Sequence, residues 1–515
     1  MKLELELERM DHAANKAWSK LDFDQAEAIH QKRHKLVPQD PRPLLDLGSL
    51  CGRRCDYVKA VEYFEKAIRV SGWKTAAFTA AGLHCLNFSQ PKLARGYFDR
   101  ALKKHPDAAD ILIPLAMIYE RLGQLDEAWA AAEKASQITG GQHDAILVQA
   151  KVLRRRKRLA EGETLLRAWM GRPLPDEWAH AALHYELATN LDLQARYDEA
   201  MTEFLRAKEK LKPVVDKHLP PSERAAIQQQ RVAEIAYMTR ERFTQFKQGQ
   251  SFLDKTQDIA FLLGHPRSGT TLLEQVLDAH PGVISAEETP IFVREGLREA
   301  VRTMLRTHPQ PLLLEILAQL DQTALVRSRS AYLSRTQSFL GELLNGRLLI
   351  DKNPSLTAQI PAITRIFPEH KILVALRDPR DVCLSCFMQP LQLNVVTANY
   401  LSIPDTFMEY AGVMQQWLTF RDRLANPWLE VQYEDMVEDI GAVARSAVNF
   451  LGLPWDEKVL GFEAHIKSKL VRSPTYAAVS QPIYKTAQGR WRHYAKYLEP
   501  HLAHLEPFIQ AFGYK

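Results

Sequence analysis

Apolar residues follow two different rhythms along this chain. Over roughly the first 210 residues they recur at helical spacing, in amphipathic stretches separated by short polar turns. From Ile259 onward they gather in short runs instead. IAFLLG, RLLID, KILVAL and WLEVQY have strand length, and each leads into a loop rich in polar, Pro or Gly residues. The first rhythm predicts an all-α region. The second, with helical stretches between the runs, predicts an α/β unit with a parallel sheet and helices on both faces. At 515 residues the chain is long enough for two or three domains.

The helical region repeats. Aligning LGSLCGRRCDYVKAVEYFEKAI with AGLHCLNFSQPKLARGYFDRAL gives a constant register of thirty-four residues. Gly48, Gly82 and Ala116 correspond, as do Cys51, Cys85 and Tyr119, and then Ala60, Ala94 and Ala128. Phe64, Phe98 and Ala132 follow, then Ala67, Ala101 and Ala135. Small residues recur where two helices approach, and bulky ones where a gap must be filled. Weaker copies lie upstream at Ala14 and Ala26, and downstream at Ala150 and Leu153. A last copy, with Ala188, Ala200, Phe204 and Ala207, comes after a four-residue slip. The pattern resembles the tetratricopeptide repeat, a helix-turn-helix unit of ~34 residues. Six units over residues 9–210 imply an α-solenoid with a concave face. That face reads either as a scaffold or as a groove for a peptide or partner protein. Residues 211–256 read as a capping helix after the Pro-Pro break, followed by a linker, and 257–515 as the second domain.

Composition narrows the classes. A net charge of +5 does not announce a nucleic-acid binder, and RRRKR at Arg154 to Arg158 reads as a solvated turn because no aromatic residues accompany it. The opening MKLELELERMDHAANKAW has no apolar stretch of signal-peptide length, and no later run reaches the ~20 apolar residues that span a bilayer. The expectation is a cytoplasmic protein that engages neither membrane nor nucleic acid. Five cysteines, including the close pairs Cys51/Cys55 and Cys383/Cys386 in helical apolar patterns, lack finger-like partners and read as buried thiols. No metal is expected.

Candidate chemistry lies at the strand ends of the second region. FLLGHPRSGTTLLEQVLDAHP has Gly264 and Gly269 at the spacing of a phosphate-binding loop, with Thr270 where its lysine would stand. A Gly-rich turn into a helix aims backbone N–H groups at an anion, Thr270 and Thr271 add hydroxyls, and Arg267 adds a planar cation. The missing lysine points to a ligand without a triphosphate. A second cluster, RDPRDVCLSCF, sets Arg377 at a strand end and Ser385 two helical turns on. Together they suit a second phosphate; in isolation, Arg377 and Asp378 read as a strand-end ion pair. A third segment, QPIYKTAQGRWRHY, carries Arg490, Trp491 and Arg492, a set suited to stacking on a purine or covering a phosphate.

PRSGTTLLEQVLDAHP followed by EETP resembles the sulfotransferases, most of all the tyrosylprotein branch and its bacterial repeat-bearing relatives, over about residues 257–500. The resemblance implies a P-loop-like sulfotransferase fold that uses 3′-phosphoadenosine 5′-phosphosulfate (PAPS). This co-substrate carries one phosphosulfate and a separate 3′-phosphate, which suits a lysine-free loop and a second anion cluster. By resemblance, Arg267, Ser268, Gly269, Thr270 and Thr271 form the phosphosulfate loop, and Arg377 with Ser385 the 3′-phosphate pair. Tyr433 matches an aromatic position near the nucleotide, Arg490 before Trp491 matches a basic residue that reaches the 3′-phosphate, and Thr475 stands where the family has a Ser near the transferring group. The implied general base is the second Glu of E-E-T, Glu288. Lys352 matches a lysine that stabilises the departing phosphate, helped by Arg267 and Thr475.

Read without that resemblance, Glu287 and Glu288 before Thr-Pro look like a helix N-terminal signal, and Lys352 like an exposed strand-end lysine. His265 and His280 are competing bases, with a helix-end role expected for His280. Pro290 stands where the tyrosine-sulfating enzymes carry an Arg for the acceptor peptide, so the acceptor hydroxyl belongs to protein tyrosine, a sugar, a lipid or a small molecule. The solenoid then serves acceptor docking or contact with another copy of the chain. Two further readings stand beside this one: an ATP-dependent P-loop kinase, disfavoured by the missing lysine, and a repeat adaptor with an inactive nucleotide domain, disfavoured by the full set of polar residues.

Overall fold

A Gly-to-Phe contact recurs at the start of the chain and sets how its helices pack. In the computed structural model, a Cβ added to Gly48 would lie 2.4 Å from the Phe64 ring, and one added to Gly82 would lie 2.4 Å from the Phe98 ring. Both rings are fully buried. In the third copy Ala116 and Ala132 take the two places, and both are buried in one apolar cluster. A large ring opposite a missing side chain and two small residues facing one another are alternative ways of filling the same gap. The structure describes residues 2–19, 22–248, 257–301, 313–390, 393–464 and 487–515.

Among the described residues, twelve helices follow in six consecutive pairs: Lys2–Ser19 and Phe23–Leu36, Arg42–Arg53 and Tyr57–Val70, Thr75–Asn87 and Pro91–Leu102, Ala109–Arg121 and Leu125–Thr139, His143–Arg155 and Leu159–Met170, Glu177–Leu193 and Tyr197–His218. The turns keep the register. Left-handed residues stand at Cys55, Ser89, Gly123, Lys157 and then, after the four-residue slip, Ala195. Cys55 therefore sits in a turn and not in the helical pattern expected of it, although all five cysteines are buried. Asp22, Asp56 and Asp176 cap the helices that follow them, each accepting a backbone N–H.

Packing divides the chain at a different place from the repeat pattern. One compact unit holds Met1–Val152 together with Pro290–Glu299 and Ser330–Leu343; the other holds Leu153–Thr289, Ala300–Arg329 and Leu344–Lys515. In the first unit Arg54 grips Glu295 with two hydrogen bonds of 2.8 and 2.9 Å, and Arg335 pairs with Asp56 at 2.7 Å. Segments remote in sequence thus pack on the first repeats.

The second unit is built on five parallel strands: β1 (Ile259–Gly264), β2 (Val283–Glu287), β3 (Leu348–Lys352), β4 (Lys371–Leu376) and β5 (Trp428–Gln432), in the order β2-β3-β1-β4-β5. β2, whose sequence VISAE is short and follows directly on a turn, was not among the expected strands. Every residue of β1 is buried. Ala260 and Leu262 face an apolar cluster with helices Thr270–Asp278 and Ile440–Leu451, while the Phe261 ring meets Phe367 at 6.1 Å. Such a strand needs helices on both sides. Because all strands run one way, their carboxyl ends share one rim, and β1 lies between β3 and β4 where the winding reverses.

Helix Pro221–Tyr237, read from sequence as a cap for the repeats, meets the last repeat helix through the buried Arg224, which donates to Asp216 at 2.9 Å, and takes further partners through Arg231 and Glu234. Arg231 donates to Glu409 at 2.5 and 3.0 Å, and Glu234 accepts from Gln416 at 2.9 Å, both on helix Ile403–Arg421. A further helix, Arg240–Lys247, follows it. Among the described residues, no helix is long and apolar enough to cross a membrane.

The repeat packing is tested by a mutant cycle. Gly82→Ala is expected to cost about 1–3 kcal/mol through overpacking and Phe98→Ala about 3–5 kcal/mol through the cavity it leaves. The double variant should lose clearly less than the sum, read from urea or thermal midpoints. Additive losses would show that ring and Cβ do not compete for one space.

Candidate active site

The rim of the sheet begins at Gly264. Its φ of 136° and the closeness of β4, where an added Cβ would meet the Ala375 carbonyl oxygen at 2.5 Å, admit only glycine. The buried Thr357 hydroxyl donates to the Gly264 carbonyl (2.6 Å) and accepts from its N–H (3.0 Å), fixing the strand end. The chain then turns through Arg267 (φ 75°) and Gly269 (φ 94°) into helix Thr270–Asp278. An added Cβ on Gly269 would strike the Tyr433 ring at 2.7 Å. Ser268, Thr270 and Thr271 are all buried at this helix start, whose first N–H groups make an anion-binding end.

One flank of the loop carries the second cluster. Arg267 Nε donates to Ser385 Oγ at 2.9 Å, and Arg377 Nη1 donates to the Arg267 carbonyl at 3.4 Å. The Arg377 guanidinium lies 4.9 Å from the Tyr433 ring centre, and its other nitrogen Nη2 donates to the Ala487 carbonyl. Its buried Nε has no partner among the described residues. Arg377, Ser385, Tyr433 and the loop, spread over residues 264–433, are therefore one cluster. The strand-end ion pair between Arg377 and Asp378 does not form: Asp378 caps the next helix and pairs with Arg380 at 2.7 Å.

The other flank carries Lys352 and Glu288. β2 and β3 pair so that Glu287 stands beside Lys352, and the Glu288 N–H extends the ladder to the Lys352 carbonyl at 2.7 Å. This corrects the reading of the two glutamates as a helix start: Glu287 ends a strand, and Glu288 has a left-handed φ of 46°. Nor is Lys352 exposed. Its ammonium is fully buried, 2.9 Å from Glu288, 3.6 Å from Glu287 and 3.8 Å from Glu274, and 3.4 Å from the Thr271 hydroxyl. Burial alone would push its pKa down; the carboxylates, Glu288 first, outweigh that and raise it above the ordinary lysine value. Glu288 itself is one-third exposed, so its carboxylate faces both the buried cation and solvent.

The histidines are occupied elsewhere. His265 is wholly buried between the Pro266 carbonyl (3.0 Å) and the Tyr400 hydroxyl (3.4 Å), and burial pushes its pKa down to about 4. His280 Nδ1 accepts from the Gly282 N–H (2.9 Å) and Nε2 donates to the Pro454 carbonyl (2.8 Å), so the ring holds the turn before β2. This matches the helix-end role expected of it.

The third segment departs from expectation in detail. Arg490 donates to Asp192 at 2.6 Å, and among the described residues it makes no contact with Arg377 or Ser385. The Trp491 ring lies under Arg380, 4.0 Å from its guanidinium, with the indole nitrogen buried and without a partner among the described residues. Asp381 fixes this segment by accepting the N–H groups of Gly489 (2.7 Å) and Trp491 (2.8 Å). Thr475 lies outside the described residues. Sequence reasoning missed Asp381, Thr357 and Glu274. The last left a signal, an acid in the middle of the apolar helix TTLLEQVLD, which calls for a buried cation.

A glycine turn at a topological switch point, with cations on both flanks, defines an α/β domain of P-loop type. Residues 260–457 match the model of the Sulfotransferase family. The chain is 25% identical over 405 residues to an uncharacterized protein of Aquifex aeolicus, covering 78% of this chain and 50% of that one. It is 27% identical over 245 residues to protein-tyrosine sulfotransferase 1 of Danio rerio, covering 46% of this chain and 66% of that enzyme. It thus spans half of the first relative and less than the whole of the second. Among solved structures, the sulfotransferase domain of the Synechococcus PCC 7002 olefin synthase is 23% identical, with a TM-score of 0.33 and coverage of 48% of this chain and 96% of that domain.

The buried charge cluster makes a direct prediction. Lys352→Met removes the cation from beside Glu274 and Glu287 and is expected to cost about 3–5 kcal/mol, read by urea denaturation. A loss below about 1 kcal/mol would mean that the carboxylates do not depend on this lysine.

Proposed function

We propose that this chain transfers a sulfuryl group from PAPS to an acceptor hydroxyl. The observation that carries the reading is the Arg267–Ser385 hydrogen bond, 2.9 Å, with Arg377 on the Arg267 carbonyl. It joins two anion cradles into one surface, as a ligand with a 5′-phosphosulfate and a separate 3′-phosphate requires. The fit of that ligand is supported by the buried, unpartnered Nε of Arg377 and by the glycine-lined approach at Gly269. The co-substrate supplies an activated sulfuryl group.

In this reading Ser268, Gly269, Thr270 and Thr271 hold the 5′ group with N–H and hydroxyl donors. Arg377 and Ser385 hold the 3′-phosphate, with Tyr433 and Trp491 against the nucleotide. Lys352 donates to the departing phosphate oxygen, and Arg267 and Thr475 act on the same side. Glu288, exposed at the rim and held by the β2–β3 ladder, takes the proton of the acceptor hydroxyl. The acceptor is a protein tyrosine, sugar, lipid or small-molecule hydroxyl, and the repeats present it or join a second copy of the chain.

Binding and turnover test the two halves separately. Adenosine 3′,5′-bisphosphate is expected to raise the melting temperature more than ADP or Mg-ATP, and Arg377→Ala to weaken its binding by about tenfold or more. Glu288→Gln should retain that binding while lowering sulfuryl transfer by about 10²–10⁴. Stronger stabilisation by Mg-ATP than by the bisphosphate would replace this reading with a kinase.

A further inference from the structure

A cavity of about 150 Å³ lies in the second unit, against helices Glu177–Leu193 and Tyr197–His218 and residues 389–390 and 393–401. Its wall is apolar, from Tyr185, Leu211, Leu393 and Leu401, with the half-exposed Trp178 at its edge. None of these residues belongs to the candidate active site. One charge interrupts the wall. Lys208 is 4% exposed, and its ammonium donates to the Tyr400 carbonyl at 2.7 Å. It also lies 5.1 Å from the Tyr185 ring centre and 4.8 Å from that of Phe387.

What the ammonium lacks is a counter-ion. Among the described residues no carboxylate pairs with it, although most of the other buried cations here have one, as Arg231 has Glu409 and Lys352 has three glutamates. One carbonyl and two ring faces do not repay the desolvation of a full charge. Burial accordingly pushes its pKa down to about 7, only weakly opposed by Cys386. The groups facing it are Tyr185 and Tyr400, both raised above the ordinary phenol range, and Cys386, raised to about 12. All three stay neutral near pH 7, so Lys208 is the group that titrates.

We propose that this cavity binds a one-ring aromatic monoanion, its carboxylate or sulfate head on the Lys208 ammonium and its ring among Trp178, Tyr185, Leu211 and Leu393. The size follows from the volume, since a cavity of ~150 Å³ accommodates one benzene ring. The charge follows from the unpaired cation, and the single head from there being one such cation on an apolar wall. Binding takes up a proton, because the anion favours the charged amine. The inference stands apart from the sulfuryl-transfer reading, although an aryl sulfate is one chemical source of such a ligand.

Calorimetric titration of the full chain with phenylacetate, phenyl sulfate and the neutral phenylacetamide tests it. At least one anion is expected to bind about tenfold or more tighter than the amide. Affinity for the anion should fall about twentyfold from pH 6.5 to pH 8.5, as the free amine loses its proton. Lys208→Met, checked for an unchanged melting profile and bisphosphate binding, should abolish the preference for the anion. A preference for phenyl sulfate would assign the site to sulfated products, and one for phenylacetate to aryl acids. Equal affinity for anion and amide in the wild-type chain, no binding of any probe, or a pH-independent affinity would overturn the proposal, whether or not the variant folds.

Discussion

A lysine without water needs carboxylates, and the rim of this sheet is arranged to supply them. Lys352 is fully buried at the end of β3 with Glu274, Glu287 and Glu288 around its ammonium. One of these comes from the helix after β1, one from the last position of β2 and one from the residue beyond it. The cluster therefore forms only when β2 lies beside β3 in parallel and in one register, with Glu287 opposite Lys352. A slip of one residue would turn the Glu287 side chain to the other face and leave the charge uncompensated. Thr271, bonded to the same ammonium, ties this cluster to the glycine turn after β1.

The loop carries two kinds of constraint. Gly264 is required by the carbonyl of the neighbouring strand, and Gly269 by the ring of Tyr433. Arg267 adopts a left-handed backbone without being glycine, and Glu288 does the same across the site. Both conformations cost energy and both are over-determined, Arg267 by Ser385 and Arg377, and Glu288 by the β3 ladder and Lys352. Strain held in place by a surrounding network leaves side chains pre-positioned for a ligand, which is the state an electrostatic catalyst needs.

The helical repeats follow a different logic, in which each copy solves the same packing problem with its own residues. Gly48 with Phe64, Gly82 with Phe98, and Ala116 with Ala132 conserve the space and change the chemistry. Packing does not respect the boundary that the repeats suggest. Arg54 and Asp56, at the turn of the second helical pair, take partners from Glu295 and Arg335, more than 200 residues away.

Periodicity and spacing were enough to read the six repeats, the four strands with short apolar runs and the turn from Gly264 to Gly269, because each is written in neighbouring residues whose side chains share one face or one turn. Resemblance assembled the loop, Arg377, Ser385, Lys352 and Glu288 into one candidate site. Only the tertiary structure decided how those groups meet: that Lys352 is buried, that Glu287 ends a strand, that Asp378 pairs with Arg380 and that Arg490 turns to Asp192. The same holds for Lys208, which in sequence is an ordinary charge in a helical stretch and in the fold faces an apolar cavity without a counter-ion among the described residues. A side chain's burial and its ionic partner depend on segments that are remote along the chain, and local patterns carry no record of them.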